Sequence, residues 1–332
     1  MINKIQTKFK FAFIGCGLIG TKRAKSISNK SIIGCFDTNQ VNAKIFSKRF
    51  NCKIYKNYKD LLKVSDIVFI CTPHKYLDKF TLSSAKLGKH ILVEKPAAIS
   101  STKIKFLMNQ VIKLKNDIKI HVGFNHRYHP SIIRALKMCK QNSIGELMYI
   151  RARYGHGARK NYQKEWRMNK TISGGGELID QGSHIIDLSR IFLGEFTKIN
   201  SLLKTFFWKS NVEDNAFLTL RTKKNKIAFL HASCTEWKNK FSFEIFGKKG
   251  KIEINGLGGS YGQEKLYFYK MSKNFGKPKI KVWNYSSKSD SSWKHEILDF
   301  IRSINSNRNV SCGLNDAYEN MKIIDKCYKN RV

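Results

Sequence analysis

The chain has 332 residues, a length that suits two domains, and 42% of them are hydrophobic, enough to bury a sizeable core. Lysine and arginine number 62 against 24 acids, a formal net charge of +38. The lysines are spread along the whole chain and no groove-reading motif is present, so the charge reads as compositional bias and nucleic acid is not an expected partner. A positive field of that size would still draw small anionic molecules. No stretch reaches the roughly 18 apolar residues of a membrane helix, and the first ten residues lack the apolar centre of a secretory leader, so a cytoplasmic setting without a membrane partner is expected. None of the eight cysteines forms a CxxC pair and zinc spacing is absent, which predicts reduced, mostly buried thiols and no metal.

The first third alternates strand and helix. Strands are expected at 8–14, 31–36, 66–71, 90–93 and 119–123, with helices at 18–29, 39–50, 57–62, 75–87 and 100–115. The 66–71 stretch is nearly all apolar, as befits a strand buried on both faces. Strands and helices at this spacing predict a doubly wound parallel sheet built of βαβ units. Beyond this the pattern changes. Helices are expected at 130–141 and 177–192, with a strand between them at 147–154. Strands then follow at 199–208, 215–222, 226–233, 241–246, 251–254 and 265–269, joined by short turns. Consecutive strands with tight turns imply an open, mostly antiparallel sheet. Helices at 293–303 and 315–329 close the chain. The fold class is therefore α/β: a Rossmann domain over 1–125 and an α+β domain over 126–332.

Gly15-Cys16-Gly17-Leu18-Ile19-Gly20 follows the first strand and opens a helix, which is the context a dinucleotide fingerprint requires. Gly15 permits the tight turn, Gly17 lets the backbone approach a pyrophosphate, and Gly20 allows close helix packing. The free N–H groups of the helix start, at Leu18 and Ile19, suit the phosphates. Asp37 ends the second strand where a ribose-binding acid belongs; its carboxylate accepts from a 2′-hydroxyl and repels a 2′-phosphate. NAD is the expected cofactor, with NADP left open by the nearby Lys44, Lys48 and Arg49.

Further segments join the glycine motif: Cys71-Thr72-Pro73-His74, Glu94-Lys95-Pro96, the junction from Gly123 through Asn125 and Arg127 to Pro130, and the run from Gly174 through Glu177, Asp180 and His184 to Asp187. In this order the set closely resembles the glucose–fructose oxidoreductase/inositol dehydrogenase family, Gfo/Idh/MocA. The resemblance implies that Thr72, His74, Glu94, Lys95 and Asn125 belong with the cofactor site and that Lys95-Pro96 is a cis bond. It implies an open sheet packed against another subunit, in a homodimer or homotetramer.

Oxidising a secondary alcohol requires a hydride acceptor and a base for the hydroxyl proton. Asp180 and His184, four residues apart on an expected helix, share one face. An imidazole exchanges protons near neutrality, and the Lys95 ammonium stabilises developing charge on the reacting oxygen. The resemblance implies the same trio as the catalytic set, with the formal base open between Lys95 and His184. Arg127, Tyr154, Trp166, Asp180, His184 and Lys95 are the candidate substrate residues, since aromatic and arginine groups suit a sugar ring and its anionic substituents. Asp187 reads as a structural partner, and His121, His126 and His129 as neighbours of the site. The stretch 154–166 is similar to family members acting on sugars or nucleotide-linked sugars in polysaccharide pathways. The expected activity is hydride transfer between NAD(P) and a sugar hydroxyl or keto carbon. An NAD-using glycosidase of the same superfamily and a non-catalytic NAD-binding regulator are the alternatives.

Overall fold

The computed structural model describes residues 4–272, 274–286 and 290–330. Residues 1–3, where the polar N-terminal stretch begins, lie outside the described residues. In chain order the elements are β1 (Phe11–Ile14), α1 (Leu18–Ala24), β2 (Ile32–Phe36), α2 (Gln40–Phe50), β3 (Lys53–Ile54), α3 (Tyr58–Lys63), β4 (Ile67–Ile70), α4 (Leu77–Lys86), β5 (His90–Glu94), α5 (Ser101–Lys113) and β6 (Ile120–Gly123). They continue with α6 (Pro130–Lys140), β7 (Leu147–Gly155), α7 (Lys170–Ser173), α8 (Ser183–Leu193), β8 (Phe196–Lys204), β9 (Asn215–Thr222), β10 (Ile227–Ser233) and β11 (Lys240–Gly247). The last are β12 (Gly250–Asn255), β13 (Lys265–Lys270), β14 (Lys279–Asn284), α9 (Ser292–Asn305) and α10 (Leu314–Lys329). None of the described helices is long and apolar enough to cross a membrane.

The chain divides into two compact units, Met1–Phe124 with Trp293–Glu319, and Asn125–Ser292 with Asn320–Val332. The first unit therefore takes back most of α9 and the start of α10, which the sequence reading had assigned to 126–332 with the rest of the second domain.

In the first unit six parallel strands run in the order β3-β2-β1-β4-β5-β6, the doubly wound arrangement whose strand order reverses between β1 and β4. Residues of β1 (FAFI) and β4 (IVFI) are wholly buried, because helices cover both faces. Phe13 stacks on Phe69 at 4.8 Å and meets Phe46 at 5.1 Å. Asn39 caps α2 by accepting from the Val41 and Asn42 N–H groups, and Ser100 caps α5 through the Lys103 N–H. Helix α1 ends at Ala24 rather than at residue 29, since the chain turns out to pair with an N-terminal segment: Ile5 N donates to Ser26 O and Ser28 N to Ile5 O.

The fully buried Arg23 of α1 ties this unit together. Its Nε bonds Glu94 at the end of β5, and its Nη1 donates to Glu296 Oε2 of α9 at 2.7 Å. His121 of β6 adds a 3.2 Å bond to the other Glu296 oxygen. Burial pushes the Glu296 carboxyl up, but the Arg23 charge and the His121 bond outweigh it and hold the pKa below the usual carboxylate range.

The second unit carries eight strands in the order β14-β13-β12-β11-β7-β10-β9-β8. Neighbours are antiparallel except β7 and β10, which are parallel. The exception follows from connectivity. The chain leaves β7, passes through α8, and re-enters at the far edge as β8, so two hairpins bring β10 alongside β7 with the same sense. Strands β3 and β14, absent from the sequence reading, are edge strands, β3 only two residues long and β14 almost wholly exposed.

Replacing Glu296 by alanine is expected to lower the unfolding free energy by about 3–5 kcal/mol, because it leaves a buried guanidinium with one partner fewer. Denaturant titration measures this. A loss under about 1 kcal/mol would mean that Glu94 alone satisfies Arg23. Since the folded pKa of Glu296 is lowered, its contribution is present above the unfolded carboxylate range and is lost as pH falls through the folded value.

Candidate active site

In the first unit the sequence-identified residues fall at the carboxyl ends of parallel strands, where open α/β sheets bind ligands. Gly15 leaves β1 with φ +97°, a conformation that disfavours any side chain. A Cβ there would lie 2.6 Å from the Cys71 carbonyl, so the glycine turn packs directly on the segment after β4. A Cβ on Gly20 would lie 2.2 Å from the Gly15 oxygen, whereas one on Gly17 would meet nothing within 4 Å. Gly17 also begins α1 without a side-chain cap, so the first N–H groups of that helix, including those of Leu18 and Ile19, have no intrahelical partner.

Asp37, directly after β2, holds the turn itself. Its Oδ2 accepts from Cys16 N at 2.7 Å and its Oδ1 from Asn39 N at 2.8 Å. A carboxylate offers about four acceptor positions, so two remain for a ligand hydroxyl. Thr72 follows β4, and its buried Oγ1 has no hydrogen-bond partner in the structure. His74 is buried at the start of a single helical turn, His74–Tyr76. Glu94 ends β5 in the Arg23 pair, and burial, only partly offset by the Arg23 charge, raises its pKa. Lys95 comes next, half-buried, and its bond to Pro96 is cis. An open approach to the backbone at Gly17, an unmatched hydroxyl at Thr72 and spare acceptor positions on Asp37 fit a dinucleotide.

In the second unit, Asp180 and His184 do not share one regular helix, as the 177–192 expectation had it. Asp180 lies in a π-helical turn, Leu178–Gly182, and His184 in the first turn of α8. Such turns are rare and concentrate at functional sites. Glu213 anchors this one: its Oε1 accepts from Gly176 N at 3.0 Å, from Leu178 N at 3.1 Å and from the Tyr328 hydroxyl at 2.7 Å. Only glycine fits at 176, where a Cβ would lie 2.0 Å from the Glu213 carbonyl oxygen.

His184 stacks on His126 at 3.8 Å and 21°, and the Tyr154 ring meets both edge-on. Tyr154 is itself packed on Tyr261 at 4.9 Å, and burial holds its hydroxyl well above the ordinary value. Arg127 forms a bidentate pair with Asp187 at 2.7 and 2.5 Å, so the Asp187 partner foreseen as structural is this guanidinium. Asn125 is buried, donating to Ser292 Oγ at 2.9 Å and lying 3.2 Å from His126 Nδ1 through its Oδ1. His129 sits 3.0 Å from Glu264.

Two residues were given no role in the sequence reading. Arg167 donates through Nε to Asp180 Oδ2 at 2.9 Å, and its guanidinium lies 4.6 Å over the Trp166 ring. Trp166, Arg167 and Asp180 thus form one connected group. The other is Glu177, three residues before Asp180 and 3% exposed. Its signal was a charged residue directly after a glycine run, in register with Asp180.

Two family models match the chain: "Oxidoreductase family, NAD-binding Rossmann fold" over residues 9–124, and "GFO/IDH/MocA C-terminal domain" over 132–253. The levoglucosan dehydrogenase of Pseudarthrobacter phenanthrenivorans is 28% identical over 216 residues, 57% of this chain and 55% of that enzyme, so this match spans about half its length. The glucose-6-phosphate 3-dehydrogenase of Bacillus subtilis is 27% identical over 263 residues, 74% of each chain. A structure of a levoglucosan dehydrogenase in complex with NADH and L-sorbose superposes with a TM-score of 0.84 over 98% of both chains, at 21% identity. With both family models matched in order over most of its length, and the fold that goes with them, this chain belongs to the Gfo/Idh/MocA family of oxidoreductases and carries its NAD-binding Rossmann domain.

Proposed function

We propose that the protein transfers a hydride between NAD and a secondary hydroxyl or keto carbon of a sugar or nucleotide-linked sugar. The observation that carries this reading is the intact set of Lys95, Asp180 and His184 within the motifs Glu94-Lys95-Pro96 and Gly174 to His184. A chain that only bound the cofactor as a regulator would have no need of that set. The sugar-dehydrogenase relatives support the substrate class, and the charge of +38 suits an anionic substituent such as a phosphate.

When bound, the nicotinamide supplies the hydride acceptor or donor, and the chain handles everything else. Gly15, Gly17 and Gly20 with the start of α1 hold the pyrophosphate, Asp37 the adenosine ribose, and Thr72, His74, Glu94 and Asn125 the remaining cofactor contacts. Lys95 donates to the reacting oxygen and stabilises negative charge as the hydroxyl proton leaves. The His184 imidazole exchanges that proton, oriented by its stack on His126. Asp180, fixed by Arg167, accepts from a sugar hydroxyl, while Tyr154 and Trp166 supply ring-sized apolar faces and Arg127 is a further substrate residue. The exposed face of the eight-stranded sheet presents Tyr149, Leu202, Ile227 and Phe229 beside the Arg151–Glu244 pair, a mixed surface suited to a second copy in a homodimer or homotetramer. A cytoplasmic step in polysaccharide assembly is the setting that suits such a substrate.

Lys95→Ala is expected to lower kcat by about 10²-fold or more, with the NADH dissociation constant nearly unchanged. Reduced-nicotinamide absorbance with a panel of free and nucleotide-linked sugars, alongside cofactor-fluorescence titration, measures both. Turnover at the wild-type rate would remove Lys95 from the chemistry.

Asp37→Ala is expected to weaken both cofactors, since the side chain also holds Cys16 N, but to weaken NAD about tenfold more than NADP, a difference of about 1.4 kcal/mol. The ratio of the two affinities reads the ribose role. An equal loss for both would leave Asp37 with the loop alone.

A further inference from the structure

Glu177 is 3% exposed and stands at the head of the π-turn that carries Asp180. Its Oε1 accepts from the Tyr162 hydroxyl at 3.1 Å and lies 3.6 Å from His156 Nε2. Its Oε2 is buried with no hydrogen-bond partner. An ionised carboxylate placed so would leave one oxygen unmatched in a dry environment, which is costly. A protonated one carries no charge to leave unmatched and keeps Oε1 as the acceptor for the Tyr162 hydroxyl.

The neighbours leave Glu177 uncompensated. From the end of β7, His156 accepts at Nδ1 from Ala158 N at 2.9 Å. That nitrogen is therefore unprotonated, the ring is neutral, and burial lowers its pKa further. Arg167, from the turn Trp166–Met168, spends its charge on Asp180 and on Glu165 at 3.5 Å. Tyr162 belongs to the turn Tyr162–Lys164, and the Cys234 thiol follows β10; both are neutral groups. Glu213, before β9, adds negative charge, as does Asp180 on the same turn. Tyr154 and Tyr261 complete the surroundings, with raised hydroxyl pKa values. Among the described residues no lysine or arginine reaches Glu177 within ion-pair distance. Burial first, and the Asp180 charge second, push its carboxyl up to about 8.

We propose that Glu177 is a further positioning residue of this site: a neutral carboxylic acid, hydrogen-bonded by Tyr162 beside a neutral His156, that leaves Asp180 as the one anionic carboxylate of its turn. Glu177 acts through Asp180 and does not touch the substrate, since neither carboxyl oxygen faces open space. Ionising it sets a second negative charge close enough to Asp180 for the two to repel, and disturbs the Arg167–Asp180 pair that fixes the sugar contact.

The proposal rests on the hydride-transfer reading for its kinetic arm alone, so the test has two arms. Thermal unfolding of the full chain is followed from about pH 5 to pH 9 for wild type and Glu177→Gln. A folded pKa above the unfolded one means that stability is fully present below the unfolded carboxylate value and is lost as pH rises through about 8. Wild type should therefore lose stability relative to Glu177→Gln across that window; parallel curves would overturn the neutral acid. In the kinetic arm, Glu177→Gln should keep kcat/KM within about threefold of wild type near pH 7 and lack the wild-type fall near pH 8. Glu177→Ala should raise the KM for sugar while the glutamine variant restores it. A glutamine variant with the wild-type alkaline fall, or with a loss of about tenfold or more at pH 7, would overturn the positioning role. A wild-type chain that turns over no sugar would sink the functional reading, and the unfolding curves would still decide for or against the neutral Glu177.

Discussion

The burial of one guanidinium, Arg23, is the constraint from which the cofactor half of the molecule takes its geometry. Removing an arginine from water costs several kcal/mol unless it is paired and hydrogen-bonded on more than one side. Arg23 meets that condition only when α1, the end of β5 and α9 are all in place, because Glu94 and Glu296 come from the last two, and its Cζ lies 4.9 Å from the centroid of the Trp293 ring. Helix α1 begins at the glycine turn, and Glu94 immediately precedes Lys95. The rigid planar fork of arginine therefore sets the separation between the glycine turn and Lys95.

That dependence was invisible in the sequence, while much of what it supports was not. β1 and β4 announce themselves as short, wholly apolar runs, and the strand pattern gave the glycine motif and Asp37 their context, whereas Thr72, His74, Glu94, Lys95 and Asn125 were implied by the family resemblance. Glu296 lies 273 positions from Arg23. Amphipathic spacing says that α9 buries a face, but it does not say against what, and the sequence reading gave the helix to the nearer domain. The parallel β7–β10 pair was lost for a related reason. Strands in succession suggest hairpins, and the helix expected at 177–192 does not say beside which strand the chain re-enters the sheet.

The candidate substrate residues divide in the same way. Asp180 and His184 stand out because their spacing is motif-like, but what each one touches depends on residues that carry no pattern. Arg167 sits 13 positions before Asp180 and reaches it with a charge-assisted bond. His126 stacks on His184 from the segment after β6. The π-turn itself departs from the regular helix that an i, i+4 pair suggests. Its cause is visible only in three dimensions, where the Glu213 carboxylate gathers the N–H groups of Gly176 and Leu178 and the glycine run permits that close approach.

Within that turn two carboxyl groups, three residues apart, meet opposite surroundings. Asp180 has a guanidinium beside it; Glu177 has a phenol, a neutral imidazole and a thiol. The two cannot both ionise cheaply at such spacing in a buried setting, and the arginine decides which one does. Residue type is therefore a poor guide to role here. Sites that handle protons at neutral pH set neighbouring acids apart by burial and by partners. The structure supplies both differences within a single turn: the acid that chemistry can use as an anion is the one with the cation, and the acid without one serves by staying neutral.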